Sequence, residues 1–337
     1  MRLLKIGIVF CSLLLWACVK DKPTVPTQPQ IIVAGKEQVL TIAEGNYGSA
    51  NASLGLWDAD AKNFIEDVYK AGNGSGCGDV LQSITKQGGN YYLIMNNSAK
   101  VIVCDGSFKK TGEVNGLTSP RYLQIVSPAK AYVSDLYANA ISILDLNTAT
   151  KTGSIAIRAW TERMAMIYNK VFVTTVNSAY LYVINTITDK VEDSVLVGEN
   201  ASGCAIDKEA KLWVLLRAKS GATASKLVRV NALNNKVDKE ISIEGDASNL
   251  QINAQGSELY FINAGVQKLD IKTEAAQQVV HGKGNYYGLG ISPKTGTIYL
   301  SDAKDYTQRS EVSVYSADGT ELTTFRAGVN CNGFYFE

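Results

Sequence analysis

Between Ser119 and Ile157 the apolar residues fall into four short runs: Arg121–Val126, Ala131–Ser134, Ala140–Leu146 and Lys151–Ile157. Each run is rich in β-branched or aromatic residues and is bounded by turn formers. Apolar and polar positions alternate with period two, which predicts strands and lacks the 3.6-residue spacing of a helix. Four strands in succession, joined by short connections, predict an antiparallel meander. The third run ends in ILDLNTATK, where Asp145 and Asn147 are placed to bond their own backbone in Asx-type turns before Lys151 opens the return strand.

The same turn recurs along the chain as WDADAK (57–62), CDGSFK (104–109), LDLNTATK (144–151), INTITDK (184–190), VNALNNK (230–236), LDIKTE (269–274) and YSADGT (315–320). The Asp, Asn or Ser that starts each turn, at 58, 105, 145, 185, 231, 270 and 316, lies 39 to 47 residues from the next. That interval is the length of one four-stranded propeller blade. Seven turns therefore predict an all-β fold, a seven-bladed β-propeller of four-stranded antiparallel blades.

The ends of the repeat predict how the ring closes. VLTIAEG, beginning beside Gln38, matches the second run of the unit, so the first blade lacks its innermost strand. NGFYF (Asn332–Phe336) matches the first run. Pairing it with Gln38–Ala43 closes the circle and removes two exposed sheet edges.

Outside the repeat, residues 1–18 read as a targeting segment: Arg2 and Lys5 are basic, Ile6 to Trp16 is apolar, and LWAC (15–18) places a small residue before Cys18. This resembles a bacterial lipobox, which implies a lipidated Cys18; an ordinary secretory signal is the alternative. Residues 19–35 read as a tether, with three of the six prolines in VKDKPTVPTQPQ (19–30). Lys20-Asp21 resembles, weakly, the export signal of surface lipoproteins. Residues 36–337 form one domain, since each added blade extends a single stack. A lipid-anchored position at the outer membrane, exposed on the cell surface, is the expected location.

Charge and reactive side chains narrow the chemistry. Lys and Arg number 33 against 32 Asp and Glu, so there is no basic footprint for nucleic acid. The single histidine, His281, does not suffice for a multi-imidazole metal site or a pair of axial haem ligands, and reads as a solvated loop residue. No nucleophile-elbow spacing is present. No catalytic residue, metal or cofactor is expected. Cys77, Cys104, Cys204 and Cys331 show no CxxC spacing. Cys77 and Cys331 both fall just before innermost strands, of the second and first blades; a disulfide between them and a set of free buried thiols both fit the sequence.

The stretch YVSDLYANAISILDLNTATKTGSI (132–155) resembles the YncE-like, YVTN-type seven-bladed β-propellers. Joined to a lipobox, the architecture is similar to that of BtuG-type surface lipoproteins of Bacteroides-type bacteria. That resemblance implies capture of cobalamin for an outer-membrane TonB-dependent transporter. A propeller by itself carries no particular activity.

Binding is expected where the loops before the innermost strands and those joining second to third strands converge. EGNYGSANAS (44–53), YKAGNGSGCGD (69–79), DLYANA (135–140), RAWTER (158–163), RAKSGATASK (217–226), HGKGNYY (281–287) and DAKDYTQRS (302–310) project to that face. The candidate ligand contacts are Asn46, Tyr47, Arg121, Asp135, Tyr137, Trp160, Arg163, Tyr286, Tyr287, Asp302, Tyr306 and Arg309, with Asn51 beside them. Aromatic walls with amide and charged clamps suit a bulky ligand such as cobalamin, a siderophore or a glycan. Aromatics that merely plug the channel mouth, and a face that grips a partner protein, are the competing expectations, with a propeller lyase or sugar-acting hydrolase as the third.

Overall fold

The computed structural model describes residues 37–337. The segments read as a leader and a tether, Cys18 among them, therefore lie outside the described residues. Seven four-stranded antiparallel sheets follow one another, each a blade whose strands run in order from the central channel to the rim. The unit read at Ser119–Ile157 is present as strands Pro120–Ser127, Lys130–Asp135, Ala140–Asp145 and Thr150–Ala156. Among the described residues no helix is long and apolar enough to cross a membrane.

Burial falls from the second strand to the fourth, and packing explains why. Seven apolar clusters lie between neighbouring blades, one per gap. A second strand touches both of its gaps, so Leu212 to Leu216 are buried without a break. Each large side chain so buried contributes roughly 1.5–3 kcal/mol. The fourth strand of blade 4, Lys190–Leu196, buries only Val195. Trp213 lies fully buried in one gap, with its indole N–H donating to Asp207 Oδ2 at 2.8 Å, so its one polar atom is satisfied.

The seven third-to-fourth-strand turns form as their sequence dictates. Asp145 Oδ1 accepts the amides of Asn147 at 2.8 Å and Thr148 at 3.2 Å. Asn185 Oδ1 accepts those of Ile187 at 2.9 Å and Thr188 at 3.2 Å. Asp270 Oδ1 accepts those of Lys272 at 2.9 Å and Thr273 at 2.8 Å.

The ring closes through the last strand. Cys331–Phe336 pairs antiparallel with Gln38–Ala43, Val39 opposite Phe336 and Leu40 opposite Tyr335. Aromatic rings fill the seam: Phe334 and Phe336 lie 5.6 and 5.5 Å from Tyr299, and Trp57 stacks on Phe325 at 4.3 Å. Glu337 is tied to blade 2 by the Lys86 ammonium at 2.6 Å and by the Tyr91 hydroxyl.

Three expectations need correction. The segment read as a loop over 69–79 begins inside a short helix, Val68–Asn73: Asp67 accepts the Lys70 amide at its start, and Gly74, at φ 74°, ends it in the left-handed region. His281 ends a strand (Ala276–His281), although it is solvent-exposed. Cys77 and Cys331 are free thiols. They sit on opposite faces of blade 1, Cys77 in the gap toward blade 2 and Cys331 in the gap toward blade 7, so the sheet itself separates them. Burial pushes both thiols up to about 12, keeping them in the unreactive form.

Candidate functional site

A cavity of about 430 Å³ opens where the innermost strands begin, and all seven blades contribute to its wall. Its construction rests on one backbone device. In every innermost strand the pairing to the second strand shifts register near the start, as a β-bulge does. The unpaired residues are Asn332 in blade 1, Gln82 in blade 2, Arg121 and Tyr122 in blade 3, Glu162 and Arg163 in blade 4. They continue with Ser202 in blade 5, Asn249 and Leu250 in blade 6 and Tyr287 in blade 7; all of them line the cavity except Leu250, which packs into the blade 5–6 core. A bulge removes its residue from the alternating pattern and re-aims the side chain, here toward the axis. A smaller cavity of about 210 Å³ extends down the channel and shares Gln82, Tyr122, Arg163 and Asn332 with the first.

Two polar clusters hold the wall in shape. Arg121 forms a fork with Glu162, Nε lying 3.1 Å from both carboxylate oxygens and a terminal nitrogen 3.0 Å from one of them, and it also donates to Gln82 Oε1. Burial, the largest single influence, works against the Arg121 charge, but Glu162, Tyr122 and Glu44 together outweigh it, so the guanidinium pKa lies above its ordinary value. Across the cavity, Glu44 accepts from Asn332 at 2.7 Å and from the Tyr287 hydroxyl at 2.8 Å. Burial raises the Glu44 carboxyl above the usual range, against the pull of those two bonds. The Tyr287 hydroxyl is raised as well, by burial and then by the Glu44 charge.

Arg163 is held differently. Its guanidinium lies 4.1 Å from the centre of the Tyr122 ring, a cation–π contact. On the rim, Arg217 is paired in a fork with Asp246, Nε to Oδ1 measuring 3.1 Å.

Of the residues expected from sequence, Arg121, Arg163 and Tyr287 line the cavity. Tyr306 stacks edge-on against Tyr287 at 5.8 Å and so borders it. Asn46 joins the same corner through its amide, which donates to the Tyr306 carbonyl at 2.7 Å, and it is bonded to Asn51. Tyr137 and Trp160 make a second rim pair, edge-on at 5.6 Å and 58% and 42% exposed. Tyr47 is almost fully exposed.

The other four serve the fold. Asp135 is fully buried and accepts the amides of Thr118, Ser119, Tyr137 and Ala138 at 2.8 to 3.0 Å, which uses up its oxygens. Asp302 accepts the amides of Asn285 and Lys304 at 3.2 and 2.8 Å. Tyr286 packs against the blade 6–7 core. Arg309 donates to the carbonyls of Ala327 and Arg326 and pairs with Glu66 at 3.3 Å, beside a separate groove next to the short helix.

Sequence reasoning missed Glu44, Gln82, Tyr122, Glu162, Ser202, Asn249 and Asn332. A signal for all of them but Glu44, which follows a second strand, exists: innermost runs break their alternation one or two residues in, as in LQSI (81–84), TERM (161–164) and CNGF (331–334). Among the described residues no group of three His, Cys, Asp or Glu is placed to hold a metal ion.

Solved structures share the fold at low sequence identity. A proposed 6-phosphogluconolactonase from Bacteroides fragilis superposes with a TM-score of 0.69 at 10% identity, covering 91% of this chain and 100% of that one. Hydrazine synthase from Kuenenia stuttgartiensis gives 0.64 at 16% identity, with 74% and 87% covered. A quinonprotein alcohol dehydrogenase-like protein from Bacteroides thetaiotaomicron gives 0.64 at 13%, with 86% and 75% covered. At such identities the likeness shows the propeller fold alone; the resemblance to YncE-like and BtuG-type proteins rests on the sequence pattern. No curated protein is significantly similar to this chain. Residues 38–337 match the family described as Domain of unknown function (DUF5074), and the chain belongs to that family.

Proposed function

We propose that this propeller is a binding protein that captures an organic ligand in the mouth of its central channel. The observation that carries the proposal is the cavity wall of bulged residues, one or two from each blade. Its volume of about 430 Å³ falls within the range of small-molecule sites, and the Arg121–Glu162 pair and the bonds of Glu44 to Asn332 and Tyr287 hold part of its wall before any ligand arrives. Binding is favoured over catalysis because both wall carboxylates are engaged: Glu162 by Arg121, Glu44 by Asn332 and Tyr287.

In its fuller form, Cys18 anchors the protein at the outer membrane, cobalamin is the ligand, and a TonB-dependent transporter receives it. That form is supported by the lipobox pattern and the BtuG-type resemblance. A corrinoid is much larger than the cavity, so it would insert one polar edge and rest its body on the rim, against Tyr137 and Trp160 or Tyr306. A siderophore or a glycan would be held in the same way. The exposed rings Tyr47, Tyr137 and Trp160 favour one second reading, a face that grips a partner protein.

Calorimetric titration of the purified protein with cobalamin, a ferric siderophore and an oligosaccharide tests the proposal. Binding of one of them at micromolar concentration, weakened about thirtyfold by Tyr306→Ala or Trp160→Ala, is expected if those rings are anchors. No heat with any of the three would remove nutrient capture and leave the partner-binding face as the better account.

A further inference from the structure

We infer that the ligand carries an oxyanion, a carboxylate or a phosphate, and that Arg163 receives it. The inference rests on ligand capture as proposed above and adds the chemical class of the group that enters the cavity.

The charges of the wall lead to it. Three guanidinium groups line the cavity, from Arg121, Arg163 and Arg217. Arg121 is matched by Glu162 and Arg217 by Asp246. Arg163 has no carboxylate, amide or carbonyl partner for its side chain among the described residues; the Tyr122 ring lies against it, and its charge reaches the Cys204 thiol. Its five N–H donors are unspent.

The remaining wall carboxylate, Glu44, is bonded to Asn332 and Tyr287 on blades 1 and 7, and among the described residues it makes no hydrogen bond or ion pair with Arg163. One cation with no carboxylate in contact with it thus faces the cavity.

The geometry suits an oxyanion more than a neutral polar group. A guanidinium matches a carboxylate or phosphate through two parallel hydrogen bonds, and charge-assisted bonds of this kind are about twice as strong as neutral ones. Contact with the Tyr122 ring helps to hold the guanidinium and takes up none of its N–H donors. Asn200 and Ser248 also line the cavity without a side-chain hydrogen bond among the described residues, and they supply further donors. Val176, Ala218 and the ring faces of Tyr122 and Tyr287 offer apolar surface for the rest of the molecule.

The test compares three probes with the same ring and different heads: benzoate, phenyl phosphate and benzamide, titrated by ligand-observed NMR. An anionic probe should bind at least about tenfold tighter than benzamide, as a charge-assisted bond replaces a neutral one. The tighter of benzoate and phenyl phosphate tells which oxyanion the site takes. Arg163→Gln should reduce the anions to the benzamide level, and Arg163→Lys should restore part of the difference.

Equal binding of benzoate, phenyl phosphate and benzamide, or anion binding unchanged in Arg163→Gln, would overturn the inference. Capture would still stand if the larger nutrients bind. Failure of all three probes together with all three nutrients would overturn both. Should Arg163→Gln melt early, the comparison of probes on the unsubstituted protein decides alone.

Discussion

Two regions of this propeller are each built seven times, and they differ in what their side chains are used for. In the outer turns, Asp145, Asn185 and Asp270 spend their oxygens on amides two and three residues ahead. In the channel-mouth bulges, the corresponding device frees a side chain from the sheet and points it at the axis. The turns therefore all start with a short side chain bearing an oxygen acceptor, Asp, Asn or Ser, because local geometry dictates it. The bulges carry Asn, Gln, Arg, Tyr, Glu and Ser, because local geometry dictates only where they point. Repetition supplies the frame and variation at the bulge supplies the site.

The strongest way to break this comparison is to remove the frame under both regions. Deleting Cys331–Glu337 takes away the innermost strand of blade 1, the Asn332 bulge and the Glu337 ties. The loss should be on the order of 5–15 kcal/mol, the whole stability of a domain, and cooperative melting should vanish in calorimetry. A truncated protein that melts like the full chain would show that closure is dispensable.

Next in size is the wall itself. Glu162→Ala leaves the half-buried Arg121 without its partner and should cost about 3 kcal/mol in urea unfolding. An unchanged midpoint would mean that the pair holds no part of the cavity.

The outer turns should be more forgiving. Asp145→Ala removes two backbone contacts at one of seven equivalent turns and should cost about 1 kcal/mol. A cost equal to that of Glu162→Ala would erase the distinction between the regions.

Smallest at any one pH, and read as a slope, is the effect of Glu44. Burial raises its carboxyl, so the folded chain binds its proton more tightly than the unfolded chain does. This contribution is fully present below the ordinary carboxylate pKa and is lost as pH rises through the raised folded value, above which it levels off. Glu44→Gln should flatten that part of the stability profile. An identical profile in the variant would place the titration elsewhere.

The same contrast explains what was legible in the sequence. Asx turns act over two to four residues, so LDLNTATK and its six counterparts announce themselves, and with them the blade number and the closing strand. The wall of the cavity is assembled from residues up to 288 positions apart, such as Glu44 and Asn332, through register shifts that pairing alone reveals. Arg121, Arg163 and Tyr287 were within reach because they stand at the head of innermost strands. Asp135 and Asp302 misled because a polar residue beside a loop looks alike whether it faces a ligand or caps its own turn. Cys77 and Cys331 misled because nearness in blade order does not say on which face of the sheet a thiol lies.

The central claim is that the bulged residues, and not the outer turns, form the binding site. It is tested most directly by placing the same bulky side chain in each region and titrating with the nutrient that gives heat in the screen. Ser202→Trp fills the cavity from the blade 5 bulge, and Asn147→Trp adds the same ring to an exposed outer turn. Affinity should fall by about a hundredfold or more in Ser202→Trp, roughly the loss of a strong anchor, and stay unchanged in Asn147→Trp. Equal affinity in Ser202→Trp and the unsubstituted protein would contradict it.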